Sequence, residues 1–384
     1  MNESMKTLGE NRSEIRELFE YGKELSKKGL CICDLTLGNP TAKTPDWVTE
    51  TLKAGLALPH IHDYSSIQGS YIARKKMANS LSKYGVAFSA ENIILTCGAA
   101  SSLCAVFKAL TNNEKDEIIA LSPYFPEYKV YVEGVNAKFK TVGFYGDDFS
   151  PNLSQLEEKI NENTRAIIIN SPNNPSGKVF SKEQIGLIAE ILKKKSTTYN
   201  NPIYIVSDEP YREIVFDKEK AVSIASIYPD TIICYSFSKS LSIPGERIGY
   251  IALPDRICAI NDLYVALLGS LRTMGYVCAP SVFQYLLENY KEEFSDFSIY
   301  ESNKNTLLSC LKKLGFTCNN PQGAFYLMVK APNGNSKEFS EKAKKIGLLI
   351  VPADSFGAEG WLRIATCVSK ETVALACSLF EKLV

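Results

Sequence analysis

Six short apolar runs separated by helix-like stretches constrain the fold of this chain more than any other feature. The runs lie at 93–96, 118–121, 166–170, 203–206, 232–235 and 248–252. Continuous apolar runs of this length are typical of strands that helices cover on both faces. Between two of them, Ser181 and Gln184 have the spacing of a capping box, which predicts a helix that continues to about Lys195. The central region is therefore predicted to be α/β, with a mostly parallel sheet.

The pattern changes after about residue 280. Helical patterns at 282–290 and 301–314 precede two strand-like runs, at 325–329 and 361–365. A chain of 384 residues exceeds the usual size of a single hydrophobic core, so two domains are expected. We predict a large α/β domain at 46–284 and a smaller α+β domain formed by 1–45 and 285–384.

Composition narrows the possible partners. Lys and Arg together number 43, as do Asp and Glu, so a nucleic acid or an anionic membrane is not expected as a partner. No apolar stretch reaches the roughly 18 residues of a membrane span, and 1–16 lacks the apolar core of a signal peptide. The 11 cysteines are scattered and contain no Cys-x-x-Cys pair, which favours a reduced, cytoplasmic location.

The segments that follow the first two apolar runs contain candidate ligand-binding residues. In an open α/β sheet, ligands bind beyond the carboxyl ends of the strands. Gly98, Ala99 and Ala100 form a small-residue turn that begins a predicted helix at 99–110, and a helix N-terminus can bind phosphate. Phe125 lies between two prolines and would stack on a flat heteroaromatic ring. A tight packing turn and a core aromatic are the alternative interpretations.

Polar side chains follow the next two runs. Asn174 precedes a proline, and its amide would donate a hydrogen bond to a ring oxygen; a plain Asn-Pro turn is the alternative. Asp208 ends a predicted strand, where its carboxylate would pair with a protonated ring nitrogen and keep a bound ring electron-poor. Tyr211 would bind the same ring oxygen as Asn174. A helix N-cap is the alternative role for Asp208.

Lys239 lies in a block that combines a lysine, serines and an arginine. A lysine amine forms a Schiff base with an aldehyde cofactor, and pyridoxal phosphate uses this chemistry on amino acids. Ser236, Ser238 and Arg247 would satisfy the cofactor's phosphate through charge-assisted hydrogen bonds. Five successive predicted strands thus end in groups that suit parts of one cofactor.

These blocks resemble the signatures of the class I/II aminotransferases, which have the pyridoxal-phosphate fold type I. The motifs are Asn174-Pro175-Ser176-Gly177, Asp208-Glu209-Pro210-Tyr211 and 236–249, and the resemblance extends from about 34 to 364. It implies a pyridoxal 5'-phosphate enzyme that acts on amino acids and 2-oxo acids as a homodimer, with the site at the subunit interface.

The resemblance also assigns a role to each matching residue. Lys239 would form the Schiff base and carry the proton between the substrate and the cofactor. Arg363 would bind the substrate α-carboxylate with help from the Gly38 backbone, and Tyr64 would reach the phosphate of the neighbouring subunit. The cofactor contacts would come from Gly98, Ala99, Ala100, Phe125, Asn174, Asp208, Tyr211, Ser236, Ser238 and Arg247.

The implied reaction is a ping-pong transamination, and a carbon–sulfur lyase or another reaction on the same fold is the alternative. A metal site is not expected, because His60 and His62 are the only histidines and no metal-binding motif occurs. The substrate stays open. Some bacterial relatives of the aspartate type have a lysine where this chain has Ala100, so simple aspartate specificity is in doubt. Arg272 would supply the missing cation or would form a salt bridge at a dimer interface.

Overall fold

The computed structural model describes residues 1–10, 13–216 and 221–384. Its helices are α1 (Glu3–Glu10), α2 (Glu14–Lys27), α3 (Asp46–Leu56), α4 (Tyr71–Ser82), α5 (Ala99–Leu110), α6 (Glu127–Glu133), α7 (Leu153–Lys159), α8 (Lys182–Tyr199), α9 (Ile224–Ile227), α10 (Phe237–Ser240), α11 (Ile260–Thr273), α12 (Ser281–Glu288), α13 (Ser298–Lys313), α14 (Ser336–Lys345) and α15 (Lys370–Phe380). Across these ranges, no helix has both the length and the apolar character that crossing a bilayer requires.

The strands are β1 (Cys33–Asp34), β2 (Ile93–Thr96), β3 (Glu117–Leu121), β4 (Lys138–Val142), β5 (Phe144–Tyr145), β6 (Ser150–Pro151), β7 (Thr164–Asn170), β8 (Tyr204–Asp208), β9 (Thr231–Ser236), β10 (Gly249–Ala252), β11 (Tyr326–Lys330), β12 (Leu348–Leu349), β13 (Val351–Pro352) and β14 (Trp361–Ala365). All six apolar runs of the central region form strands. The capping box also forms: the Ser181 and Gln184 side chains each accept from the other's backbone N–H at the start of α8.

A seven-stranded sheet forms the centre of the protein, in the order β2-β10-β9-β8-β7-β3-β4. The pairs β9–β8, β8–β7, β7–β3 and β3–β4 are parallel, and β10 runs antiparallel to both of its neighbours. The prediction of an α/β fold with a mostly parallel central sheet is therefore confirmed. Parallel strands direct their carboxyl ends to one edge, so β3, β7, β8 and β9 deliver the residues that follow them to the same place.

Alternating side chains along each strand fill the cores on the two faces of this sheet. Ile118 and Ala120 of β3 pack on the side of α5 and α11, whereas Ile119 and Leu121 pack on the side of α8. Because side chains alternate with a period of two, a strand covered on both faces must be apolar at every position. This requirement explains the continuous runs in the sequence.

The edge strand β4 was not predicted from the sequence. Its residues Lys138, Phe139, Lys140, Thr141 and Val142 are of mixed polar and apolar type, and only Val142 is fully buried. An edge strand pairs on one side only and tolerates charge, which discourages pairing with other chains. The strand contains no continuous apolar run, so its sequence does not indicate a buried strand.

A smaller sheet in the order β11-β14-β13 follows α13, and the strand-like runs predicted at 325–329 and 361–365 correspond to β11 and β14. The N-terminal segment contacts this region, because Cys33 and Asp34 pair in parallel with Leu348 and Leu349. Helix α2 also packs here, where Gly22 faces Leu349. These contacts bring α2 to the same end of the molecule as β14.

Candidate active site

A cavity of about 360 Å³ opens beyond the carboxyl ends of the parallel strands. It is lined by most of the predicted site residues, namely Gly38, Ala99, Ala100, Phe125, Asn174, Asp208, Tyr211, Ser236, Ser238, Lys239, Arg247 and Arg363. A wider, open groove of about 1120 Å³ runs between α5 and α11 but contains none of the predicted residues. The chemistry predicted from the sequence therefore converges on the smaller cavity.

Lys239 projects into this cavity from α10, the single helical turn that follows β9 directly. Its Nζ donates a hydrogen bond to the Gly38 carbonyl oxygen at 2.7 Å and lies 5.4 Å from the centre of the Phe325 ring. Burial lowers the pKa of Lys239 to about 8, and the nearby Arg247 and Arg363 charges act in the same direction. About a tenth of the amine is therefore neutral, and nucleophilic, at pH 7, far more than for a lysine of ordinary pKa.

Asp208 ends β8 and is buried with one carboxyl oxygen unpaired. The Tyr128 hydroxyl donates to Oδ2 at 2.5 Å, while no described residue bonds Oδ1. Burial raises the pKa of Asp208 to about 7, although the bond from Tyr128 acts against that rise. An unpaired buried acceptor is costly, so this oxygen is suited to a ligand that donates a proton or carries a positive charge.

The N-terminus of α5 and the loop before β10 form a site suited to an anion. The Ser236 and Ser238 hydroxyls lie 2.8 Å apart, and Arg247 Nη1 donates to Ser238 Oγ at 3.3 Å. Gly98 has φ of +86°, and a Cβ there would lie only 2.7 Å from Arg247 Nη2. Glycine is therefore required for the guanidinium to approach the helix N-terminus, where free N–H groups favour a phosphate.

Arg363, on β14, is buried without a carboxylate partner among the described residues. Its Nη1 donates to Asn174 Oδ1 at 3.2 Å, its Nη2 donates to the Thr36 carbonyl oxygen, and its Nε is unpaired. The guanidinium lies over the Tyr326 ring, 4.6 Å from its centre. Burial lowers the pKa of Arg363 from its usual value. A buried cation of this kind is complementary to a carboxylate, which arginine binds through paired hydrogen bonds.

Several contacts in the cavity were not anticipated. Tyr128 was not assigned a role from the sequence, yet its hydroxyl donates to Asp208 and so helps to orient the carboxyl group. Tyr326 also lines the cavity, and its hydroxyl lies 3.1 Å from that of Tyr211. Helix α2 and its N-cap contribute Ser13, Ile15 and Arg16. Tyr326 lies within a predicted strand and the residues at 13–16 follow none, so the positions of the strand ends did not predict them.

Two predicted residues lie elsewhere. Tyr64 does not line the cavity, and its side chain is 99% exposed. Its role across a subunit interface stays a prediction. Arg272 is exposed in the last turn of α11 and is likewise absent from the cavity wall.

Comparisons with known proteins agree with this geometry. The family model for aminotransferase class I and II matches residues 27–380. An aminotransferase structure from Eubacterium rectale superimposes with a TM-score of 0.97 at 44% identity, covering 100% of this chain and 98% of that one. An aspartate aminotransferase of Pyrococcus horikoshii is 30% identical, covering 97% of this chain and 94% of its own length. An aromatic-amino-acid aminotransferase of Thermococcus litoralis is also 30% identical, covering 97% and 96%. The chain belongs to the class I and II aminotransferase family.

Proposed function

We propose that this aminotransferase uses pyridoxal 5'-phosphate to move an amino group from an L-amino acid to a 2-oxo acid, with Lys239 as the catalytic base. One observation carries the proposal: a partly neutral amine, an unpaired buried carboxyl oxygen and a buried guanidinium without an anion line the same cavity. Each of these groups lacks a partner of a kind that the cofactor or the substrate would provide.

The residues present fit the cofactor. Lys239 would bind its aldehyde carbon, and the unpaired Oδ1 of Asp208 would face its ring nitrogen. The phosphate would be held by the α5 N-terminus together with Ser236, Ser238 and Arg247, and the ring would lie against Phe125. Asn174 and Tyr211 would bind the ring oxygen. When bound, the protonated ring supplies an electron sink for the bonds at the substrate α-carbon.

The protein's own groups then account for substrate orientation and proton transfer. Arg363 would hold the α-carboxylate and so fix the α-carbon near Lys239. Lys239, with a pKa lowered to about 8, would remove the α-proton as a neutral amine and return it on the cofactor side. The amino acid and the oxo acid enter in turn at the same site, which predicts ping-pong kinetics.

A spectral titration of the purified protein with pyridoxal phosphate tests the proposal. We expect a visible absorbance band that disappears when a suitable amino acid is added and returns when a 2-oxo acid is added. A protein that acquires no band would contradict the cofactor assignment. Release of ammonia and pyruvate from cystathionine without loss of the band would instead identify a carbon–sulfur lyase.

The rate at which the cofactor-free protein captures pyridoxal phosphate should rise with pH through about 8. Below this pH Lys239 is mostly protonated and cannot attack the aldehyde, whereas above it the amine is neutral. The rise should approach tenfold per pH unit on the acidic side. Stopped-flow absorbance measures it, and a midpoint near 10.5, the ordinary value for lysine, would show that burial does not tune this amine.

We also propose a homodimer with Tyr64 completing the phosphate site of the neighbouring subunit. The nearly full exposure of this large aromatic side chain supports the proposal. Sedimentation of the protein at the 42.6 kDa of one chain would contradict it.

We also propose that the chain divides into a large domain at 46–284 and a small domain from 1–45 and 285–384. Limited proteolysis that cuts the chain at sites away from these boundaries would argue against the division.

A cytoplasmic location is proposed on the basis of the cysteines. All 11 of them are free thiols in the structure, as expected for a protein that stays in a reducing compartment. Cell fractionation tests this assignment, and recovery of the protein outside the cytoplasm would contradict it.

A further inference from the structure

One face of α12 holds the segment that bears Tyr64. Ser281, Gln284 and Glu288 are spaced three and four residues apart, so their side chains lie on the same side of the helix. All three form hydrogen bonds with the segment 61–70, which leads into α4. None of the three lines the active-site cavity, and the proposed reaction gives none of them a role.

The contacts lie on both sides of Tyr64 in the chain. Before it, the Ser281 hydroxyl donates to the Ile61 carbonyl oxygen. After it, Gln284 Nε2 donates to Ser65 Oγ at 2.7 Å. The chain is therefore held three residues before Tyr64 and again at the residue that follows it.

The Gln284 side chain is buried, and its hydrogen bonds fix the orientation of its amide. Oε1 accepts from the Ser70 backbone N–H at 2.8 Å. Nε2 donates to the Ala279 carbonyl oxygen at 2.7 Å as well as to Ser65. A backbone N–H can only donate and a carbonyl oxygen can only accept, so one amide orientation satisfies this network. Gln284 thus binds both ends of 65–70 at a single point on α12.

The segment is also fixed to the central sheet. The Leu95 backbone N–H, in β2, donates to the Gln68 carbonyl oxygen at 3.0 Å. Gly69 has φ of +87°, and a Cβ there would lie 2.7 Å from Leu95 Cδ1, so this close approach requires glycine. Two rigid elements, α12 and β2, therefore determine where the segment lies.

The Tyr64 side chain takes no part in this anchoring. It is 99% exposed, and it makes no hydrogen bond or ring contact with any described residue of its own chain. An aromatic side chain on a loosely held loop has to be ordered when it binds, and that ordering lowers affinity. Fixing the backbone on both sides of Tyr64 in advance reduces this loss.

We propose that Gln284 is a positioning residue that presents Tyr64 to the phosphate site of the neighbouring subunit. The assignment rests on the proposed homodimer, in which Tyr64 completes that site, and it identifies the group that holds Tyr64 in place. Gln284 acts through Ser65 and Ser70, at a distance from the bound phosphate.

The test compares the affinity of the cofactor-free protein for pyridoxal phosphate and for pyridoxal, which lacks the phosphate. Gln284→Met conserves most of the buried volume and removes the hydrogen bonds. We expect it to weaken pyridoxal phosphate binding by about three- to tenfold, the net effect of about one hydrogen bond, and pyridoxal binding by less than about twofold. Ser65→Ala removes only the contact nearest to Tyr64 and should weaken pyridoxal phosphate binding by about twofold or more. Asn289→Ala, the matched control, removes an exposed amide of α12 that bonds only Tyr285, and should change neither affinity.

A double-mutant cycle with Tyr64→Phe separates positioning from a general loss of structure. This substitution keeps the ring and removes the hydroxyl that would meet the phosphate. We expect it to weaken pyridoxal phosphate binding by about tenfold or more, as for a hydrogen bond to a charged group. Because Gln284 acts through Tyr64, adding Gln284→Met to Tyr64→Phe should weaken binding by less than about twofold further.

Other outcomes would overturn the assignment. Equal weakening of pyridoxal phosphate and pyridoxal binding, or full additivity of the two substitutions, would mean that Gln284 stabilises the subunit as a whole. Sedimentation of Gln284→Met at the 42.6 kDa of one chain, where the wild type is a dimer, would mean that Gln284 acts on assembly instead. If Gln284→Met fails to fold, the same readings on Ser65→Ala decide the matter.

Two results would separate this assignment from the proposed function. Unchanged pyridoxal phosphate binding by Tyr64→Phe would remove the role of Tyr64, and the positioning role of Gln284 with it, while leaving the aminotransferase assignment intact. Failure of the wild type to bind pyridoxal phosphate would contradict both.

Discussion

Lys239→Ala is expected to lower the multiple-turnover rate of transamination by about 10⁴-fold or more, because one side chain supplies both the covalent anchor for the cofactor and the base. The cavity offers no substitute of suitable pKa among its phenols. Burial raises the pKa of Tyr326 to about 12 and that of Tyr211 well above its usual value, so both stay protonated near neutral pH. Steady-state kinetics with a reactive amino acid and oxo acid measures the loss.

Two comparisons separate this effect from misfolding. Lys182→Ala removes an exposed lysine at the start of α8, away from the cavity, and should leave kcat unchanged. The Lys239→Ala protein should still bind pyridoxal phosphate through Asp208, Arg247 and the α5 N-terminus, which gel filtration with absorbance detection can show. A variant that folds, binds the cofactor and keeps more than about a hundredth of the wild-type rate would rule out Lys239 as the base.

Most of the residues that line the cavity could be predicted from the sequence, because they follow buried parallel strands. Asp208 lies at the end of β8, and Asn174 and Lys239 follow β7 and β9 closely. Apolar runs identify such strands, and parallel topology then brings their carboxyl ends together without further information. Arg363 was placed by resemblance to a family motif, and the structure adds that it is buried and lines the same cavity.

The remaining features depend on packing between segments that are distant in sequence. The bond from Tyr128 to Asp208 joins residues 80 positions apart, and the bond from Arg363 to Thr36 joins residues 327 apart. Helix α2 reaches the cavity because its apolar side chains pack on the small sheet. No local pattern specifies which surface an amphipathic helix will cover, so Arg16 could not be assigned to the cavity from the sequence.

Asp208→Asn is expected to lower kcat by roughly 10²- to 10⁴-fold, the rate equivalent of the about 3–5 kcal/mol that removing one partner of a buried ion pair costs. An amide cannot hold the ring nitrogen in its protonated form, so the bound ring becomes a weaker electron sink. Tyr128→Phe is the matched variant, because it removes the hydrogen bond to Oδ2 and retains the carboxylate. Its kcat should fall by less than about tenfold, the scale of a single hydrogen bond.

The pH dependence of stability tests the pKa of the Asp208 carboxyl group independently of catalysis. In the cofactor-free protein, burial raises the pKa of Asp208 to about 7, whereas an unfolded aspartate titrates near its ordinary value of 3.8. The folded state therefore binds the Asp208 proton more tightly than the unfolded state does. The contribution of this proton to the free energy of unfolding declines as pH rises from about 4 through 7. Asp208→Asn removes this titration. The cofactor-free variant should therefore lose less stability than the cofactor-free wild type over that pH interval, as measured by thermal unfolding. Parallel curves for the two proteins would mean that Asp208 is ionised throughout, and that the pyridinium finds its partner already charged.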